Sequence, residues 1–211
     1  MQAHPLWRSG KKGGRKMKKL KSTLPNMVIV LTSIAVVAGL ALGYVNSITA
    51  EPIKQIKAQQ LADGIKAVLA ADELNVEEPI TLDDGAVIYR TDKGVAVQAT
   101  DPNAFGGKLT VLVGFNAEGL IQGYQILETA ETPGLGAKAG EWFQKDQKGD
   151  IIGKQAGNLT VSKDGGEVDA ITASTITSRA FLRCVNAAYE ALSSQQEDAQ
   201  SGASQQVKNE E

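Results

Sequence analysis

The chain has 211 residues, room for one good-sized domain with appendages, and its 42% hydrophobic content is ordinary for a globular protein. Its net charge of −2 conceals two unlike parts: residues 1–21 hold eight basic residues and no acid, leaving 14 basic against 24 acidic residues after Lys21, a net of −10. One histidine (His4), one cysteine (Cys184) and three methionines, all before residue 51, exclude from the remainder a single-chain haem, iron–sulfur, blue-copper or Cys/His zinc site, Ser-His-Asp or Cys-His catalysis, and an intrachain disulfide.

Residues 27–44, MVIVLTSIAVVAGLALGY, carry no charge. Extended over 24–45, at 1.5 Å rise per residue, the run crosses a hydrocarbon core of about 30 Å. The competing reading is a cleavable signal peptide ending at Ala50. The apolar run exceeds the usual h-region of roughly 7–15 residues, and Ile48 fits a small-residue cleavage site badly. The basic tail, 1–21, precedes the span and Glu51 follows it, so the positive-inside rule places the tail in the cytoplasm and the acidic remainder on the exported, periplasmic face of a cytoplasmic (inner) membrane. Topology and anionic headgroups account for the basic run without nucleic acid.

Ile53, Ile56, Leu61, Ile65, Val68 and Leu69 then recur at helical spacing and predict a stalk helix over 51–72. Strand-like runs follow at 86–90, 94–100, 108–116 and 120–127. The joints TDKG and NAEG are hairpin signals, so the sheet is expected to be mainly antiparallel. A short helix around Trp142 and Phe143 is expected at 137–144, a further strand at 158–162, and a closing helix at 175–193. In that helix Phe181, Cys184, Ala188 and Leu192 share one face, which makes Cys184 a core thiol. The polar tail from 194 to 211 is expected to remain unfolded. The fold class is α+β: one N-terminal transmembrane helix, then a domain at 73–193 with an antiparallel sheet and flanking helices.

Two glycine-rich segments sit beside strands, FGGKL at 105–109 and ETPGLGAK at 131–138, where bare backbone permits positive φ or the close approach of a ligand plane. Neither has G-x-G-x-x-G or Walker A spacing. Farther on, VDAITASTITSRAF at 168–181 crowds five hydroxyl side chains between Thr172 and Ser178, just where the closing helix begins. They read either as a capping turn or as a hydroxyl placed to carry something.

Asp169, Thr172, Ala173, Ser174, Thr175, Ile176 and Thr177 resemble the D-x-x-[ST]-G-A-T-x-[ST] flavinylation motif of the FMN-binding domain family, with Ala173-Ser174 standing where Gly-Ala is usual. The run Glu131, Thr132, Pro133, Gly134, Leu135, Gly136 is similar to that family's E-T-P-G-L-G signature, and Phe105, Gly106, Gly107 to its aromatic-Gly-Gly segment. The resemblance implies covalent FMN, esterified through its phosphate to Thr175 by a dedicated flavin transferase that engages Asp169, with 131–136 and 105–107 bordering the isoalloxazine. In size and single span the chain is similar to G subunits of Rnf-type ion-translocating electron-transport complexes. That implies an electron-relay subunit, not a stand-alone enzyme, working with other membrane subunits between ferredoxin-linked and NAD-linked partners. The C subunit of sodium-translocating quinone reductases shares the architecture but is typically longer. A membrane-tethered binding or assembly module, with the threonine-rich turn only a cap, is the non-redox alternative. Physically, a phosphoester on Thr175 would lie at a helix N-terminus, among unpaired N–H groups. Arg179, one turn on, and Arg183, a turn further, would then be the cations expected beside it.

Overall fold

In a computed structural model, residues 23–71 and 73–207 are described, and the basic tail at 1–21 lies outside them. Helix α1 (Leu24–Val68) is a single run of 45 residues covering the expected span and most of the expected stalk, with Pro52 inside it. Its first half is long and apolar enough to cross a membrane, and side chains such as Leu31, Leu40 and Leu42 are exposed.

Residues from Lys54 onward form a separate compact unit. Its centre is a five-stranded antiparallel meander in the order β1 (Ile80–Thr81), β2 (Val87–Thr91), β3 (Gly94–Ala104), β4 (Gly107–Phe115), β5 (Ile121–Glu128). Both hairpin signals hold. Thr91 pairs with Gly94 across Asp92-Lys93. Asn116 folds the next turn by accepting the Glu118 and Leu120 N–H groups on its side-chain oxygen, and Gly119 takes the positive φ of 78° that the turn needs.

Strand β4 is buried along almost its whole length because both sheet faces are covered. On one face α3 (Thr175–Val207) sets Phe181, Cys184, Val185, Ala188 and Leu192 in the cluster formed by Val97, Leu109, Val111, Val113 and Phe115. On the other, Ile65 and Val68 at the end of α1, with Leu69, pack against Tyr89, Ala96 and Leu112. Gly114 and Gly123, paired across β4 and β5, make the second contact close, since a Cβ on either would run into the backbone of Val68. Cys184 is a core thiol: its Sγ–H reaches the Leu109 carbonyl at 3.6 Å, and burial pushes its pKa up to about 12.

Two expectations need correction, and one element was not foreseen. The segment 158–162 is not a strand. It makes one bridge, Val161 to Val168, and then a 3₁₀ turn, Ser162–Asp164. The reason is local: the carbonyls of Thr160 and Val161 accept the N–H groups of Val168 and Gly166, so the segment folds back on itself and is not free to extend the sheet. The two-residue strand β1 was not anticipated. Finally, α3 does not stop at Ser193 but continues to Val207, through the stretch expected to be unfolded; an established helix extends readily into residues such as Gln, Glu and Ala. Residues 208–211 lie outside the described part.

The expected helix at 137–144 is a 3₁₀ turn, Gly136–Lys138, running into α2 (Ala139–Trp142). It is fixed from beneath. The Tyr124 hydroxyl donates to the Ala139 carbonyl at 2.7 Å and accepts the Phe143 N–H at 3.2 Å, and burial drives its pKa upward. Phe143 stacks on Phe181 with ring centroids 4.3 Å apart. From α2, the Trp142 indole N–H donates to the Asp169 carbonyl at 2.8 Å, which ties this corner to the turn that enters α3.

Candidate functional site

Three chain segments converge on one cleft of about 340 Å³: the tip of the β3–β4 hairpin, the loop after β5, and the turn into α3. A β-bulge between Asp101 and Ala104 reshapes the hairpin end. Asp101 is buried, accepts the Asn103 N–H at 2.6 Å and pairs with Arg183, so the hairpin end is anchored to α3. Gly106 lies so close to the backbone of Ala130 and Glu131 that a Cβ would collide with it, and its N–H donates to Glu131 Oε1 at 3.1 Å.

Within the second loop, Thr132 accepts the N–H groups of Leu135 and Ala137 on its carbonyl, and Gly134 adopts the positive φ of 78° that this tight turn requires. Gly136 is buried, and a Cβ there would strike the Glu131 carboxylate and the Thr177 hydroxyl. Glu131 is only 8% exposed, and its Oε2 has no hydrogen-bond partner among the described residues.

The turn into α3 separates the five hydroxyls by role. Ser178 is fully buried; its Oγ accepts the Ile171 N–H at 2.9 Å and donates to the Ser174 carbonyl at 3.0 Å, stapling the turn. The Ser174 carbonyl also accepts the Ser178 N–H, which makes Ser174 the capping residue and Thr175 the first residue of the helix. Ser174 and Thr177 are buried in the cleft wall, Thr172 is exposed and outside it, and Thr175 is half-buried on the lining. Ala173 adopts φ +62°, a left-handed conformation that favours glycine.

Of the residues singled out in the sequence, Phe105, Glu131, Thr132, Leu135 and Gly136 line the cleft together with Ala173, Ser174, Thr175, Ile176 and Thr177 from the turn into α3. Gly106, Gly107, Pro133 and Gly134 shape the loops without lining it. Asp169 is exposed outside the cleft, accepting the Ser162 hydroxyl at 3.2 Å. The expectation for Arg179 changes: its guanidinium grips Asp164 with two bonds of 2.7 and 2.6 Å, which holds the Asp164 carboxyl below its ordinary pKa. Arg183 likewise belongs to Asp101. The cation beside Thr175 is Lys163, whose Nζ donates to the Thr175 Oγ1 at 3.1 Å. Sequence reading missed Lys163, because only the fold-back of 160–168 brings it across.

Chemically the cleft presents the Thr175 hydroxyl, held by the Lys163 ammonium, at a helix start with no acid in its first turn, together with a buried carboxyl oxygen of Glu131. On its lining Phe105, Leu135 and Ile176 stay 68%, 44% and 50% exposed. Beyond α1, Val76 is the only other large apolar side chain left exposed among the described residues, so this concentration marks a surface built to be covered.

The FMN-binding domain family matches residues 105–190, a range that contains all three cleft segments. The G subunit of the Na(+)-translocating ferredoxin:NAD(+) oxidoreductase complex of Acetobacterium woodii is 34% identical over 188 residues, covering 75% of this chain and 86% of that protein. The G subunit of the ion-translocating oxidoreductase complex of Methanosarcina acetivorans is 27% identical over 82% of this chain and 96% of its own length. With the corresponding protein of Erwinia tasmaniensis, 35% identity extends over 46% of this chain and about half, 49%, of the relative. With its apolar N-terminal helix, its antiparallel sheet and a cleft lying inside the matched region, the chain belongs to the family of G subunits of ion-translocating oxidoreductase complexes and carries that family's FMN-binding domain.

Proposed function

We propose that this chain is an electron-relay subunit that carries FMN covalently, as a phosphoester on Thr175, within a membrane-bound ion-translocating complex. The observation that carries the reading is the convergence at one cleft of the Thr175 hydroxyl, which accepts a bond from the Lys163 ammonium, and the exposed apolar trio Phe105, Leu135 and Ile176. These residues fit the group. Lys163 and the free N–H groups of the first turn of α3 suit a phosphate, the apolar trio suits a flat ring, and the unpaired Glu131 oxygen suits a ligand N–H or O–H. When bound, flavin supplies one- and two-electron transfer, while the protein sets its orientation, exposure and potential.

Maturation then requires a flavin transferase, for which the exposed Asp169 is the proposed contact, and function requires the other membrane subunits of the complex. Ferredoxin and NAD appear in the name of the Acetobacterium relative and are proposed here as the ultimate electron donor and acceptor. The apolar half of α1 is proposed to anchor the chain in the cytoplasmic membrane with residues 1–21 inside, supported by eight basic residues before the span against a net of −10 beyond Lys21. A periplasm-active reporter fused after Val207 should work and a cytoplasm-active one should not; the reverse pattern refutes this topology.

Intact-mass measurement of protein co-expressed with a flavin transferase tests the attachment. Thr175→Ala should lose the FMN mass completely and still fold, because the Ser174 carbonyl and the Ser178 staple hold the helix start without Thr175. Thr172→Ala and Thr177→Ala should retain FMN. A wild-type protein without FMN, or a Thr175→Ala variant with it, overturns the reading and leaves a non-redox binding module.

A further inference from the structure

The unsatisfied oxygen of Glu131 carries the inference furthest. This carboxyl group is more than nine-tenths buried, and only one of its two oxygens is engaged, by the Gly106 N–H at 3.1 Å. The other, Oε2, is sealed from solvent between Gly136 and Thr177 and meets no donor among the described residues. Thr177 borders the same space, yet its hydroxyl makes no bond to it. Leaving a buried acceptor unmatched forfeits its hydration with nothing in return, so such groups in native proteins await a partner. Two features show that the position is built. Gly136 is bare where any side chain would collide with this carboxylate, and Gly106 is bare where the hairpin tip closes on the backbone beside it. Glu131 and the two neighbours of its oxygen, Gly136 and Thr177, line the cleft.

We infer that Glu131 is a positioning and potential-setting residue for the flavin: its free carboxylate oxygen receives a hydrogen bond from an N–H or O–H donor of the bound group and holds a negative charge beside it. This rests on the FMN reading above and goes beyond it by assigning the acid of the 131–136 loop a role separate from loop shape. A carboxylate accepts but cannot donate, so it selects an occupant that presents a donor. A negative charge at that distance in a water-poor wall also opposes the arrival of electrons, keeping the midpoint potential of the flavin lower than it would otherwise be.

The test uses the full chain in detergent, made with and without flavin transferase, as wild type, Glu131→Gln and Glu131→Asp. Gln keeps the shape and an acceptor for the Gly106 N–H but removes the charge. With FMN attached by intact mass, Glu131→Gln should titrate at a more positive midpoint potential than wild type. It should also gain less melting temperature on FMN loading than wild type does. Glu131→Asp, which keeps the charge but draws it back, should shift the midpoint in the same direction by less, and it carries the test if the Gln variant takes up no FMN. A flavinylated variant whose midpoint and loading-induced stabilisation equal those of wild type overturns the assignment while leaving covalent FMN on Thr175 intact. A wild type that takes up no FMN overturns both.

Discussion

Ala173 occupies a left-handed backbone conformation, φ +62°, one residue before the cap of α3. In this conformation a Cβ crowds the following carbonyl at a cost of about 1–2 kcal/mol. Glycine escapes that cost but brings about 0.5–1 kcal/mol of extra chain entropy to the unfolded state. Ala173 is exposed, so its methyl group contributes little packing in return. Ala173→Gly should therefore stabilise the domain by about 0.5–1 kcal/mol, or about 1–4 °C in Tm for a unit of the size of Lys54–Glu211. Ala173→Val should do the opposite, since a β-branched side chain tolerates this region worse. Near-UV circular dichroism of the full chain in detergent is the suitable assay, because it follows packing around Trp142, Tyr124, Phe143 and Phe181. If Ala173→Gly melts at or below wild type while Ala173→Val matches it, the turn is not strained at this position and the reasoning fails. The glycine usual at this place in the flavinylation motif then needs another explanation.

Lys163→Gln should slow FMN incorporation about fivefold, the equivalent of about 1 kcal/mol for one exposed charge-assisted contact, whereas Arg179→Gln should load at nearly the wild-type rate because its charge is already spent on Asp164. A time course of intact mass decides, and a larger defect in Arg179→Gln than in Lys163→Gln refutes the assignment. Cys184 predicts a dependence on alkaline pH. Its thiol titrates at 9.0 by default and at about 12 when folded, so its contribution is constant below pH 9. As pH rises through that window the unfolded chain ionises first and stability falls by up to about 1.4 kcal/mol per pH unit. Denaturant midpoints at pH 8 and pH 10 should drop more for wild type than for Cys184→Ala, and equal drops refute the prediction.

Some features were legible in the sequence because their causes are local. The uncharged run at 27–44 states its own length, TDKG and NAEG specify tight reversals whatever surrounds them, and the spacing of Phe181, Cys184, Ala188 and Leu192 puts one face of α3 in the core. The glycine-rich loops and the hydroxyl cluster were recognisable as places where ordinary packing rules bend. The division of labour inside those places was not. Ser178, Thr177 and Thr175 are the same chemistry within four positions, yet one staples the turn, one is buried in the wall and one opens into the cleft. Lys163 and Asp164 are adjacent, and the fold-back of 160–168 sends one to Thr175 and the other to Arg179, an exchange that no fixed spacing along the chain encodes. Likewise Glu131 reads as an acid in a loop until the hairpin tip and α3 close over it and leave one oxygen without a donor. Backbone conformation answers mainly to neighbours a few residues away. The partner of a charge or a buried oxygen is set by segments tens of residues apart, and only their packing brings them within the roughly 3 Å at which a hydrogen bond forms.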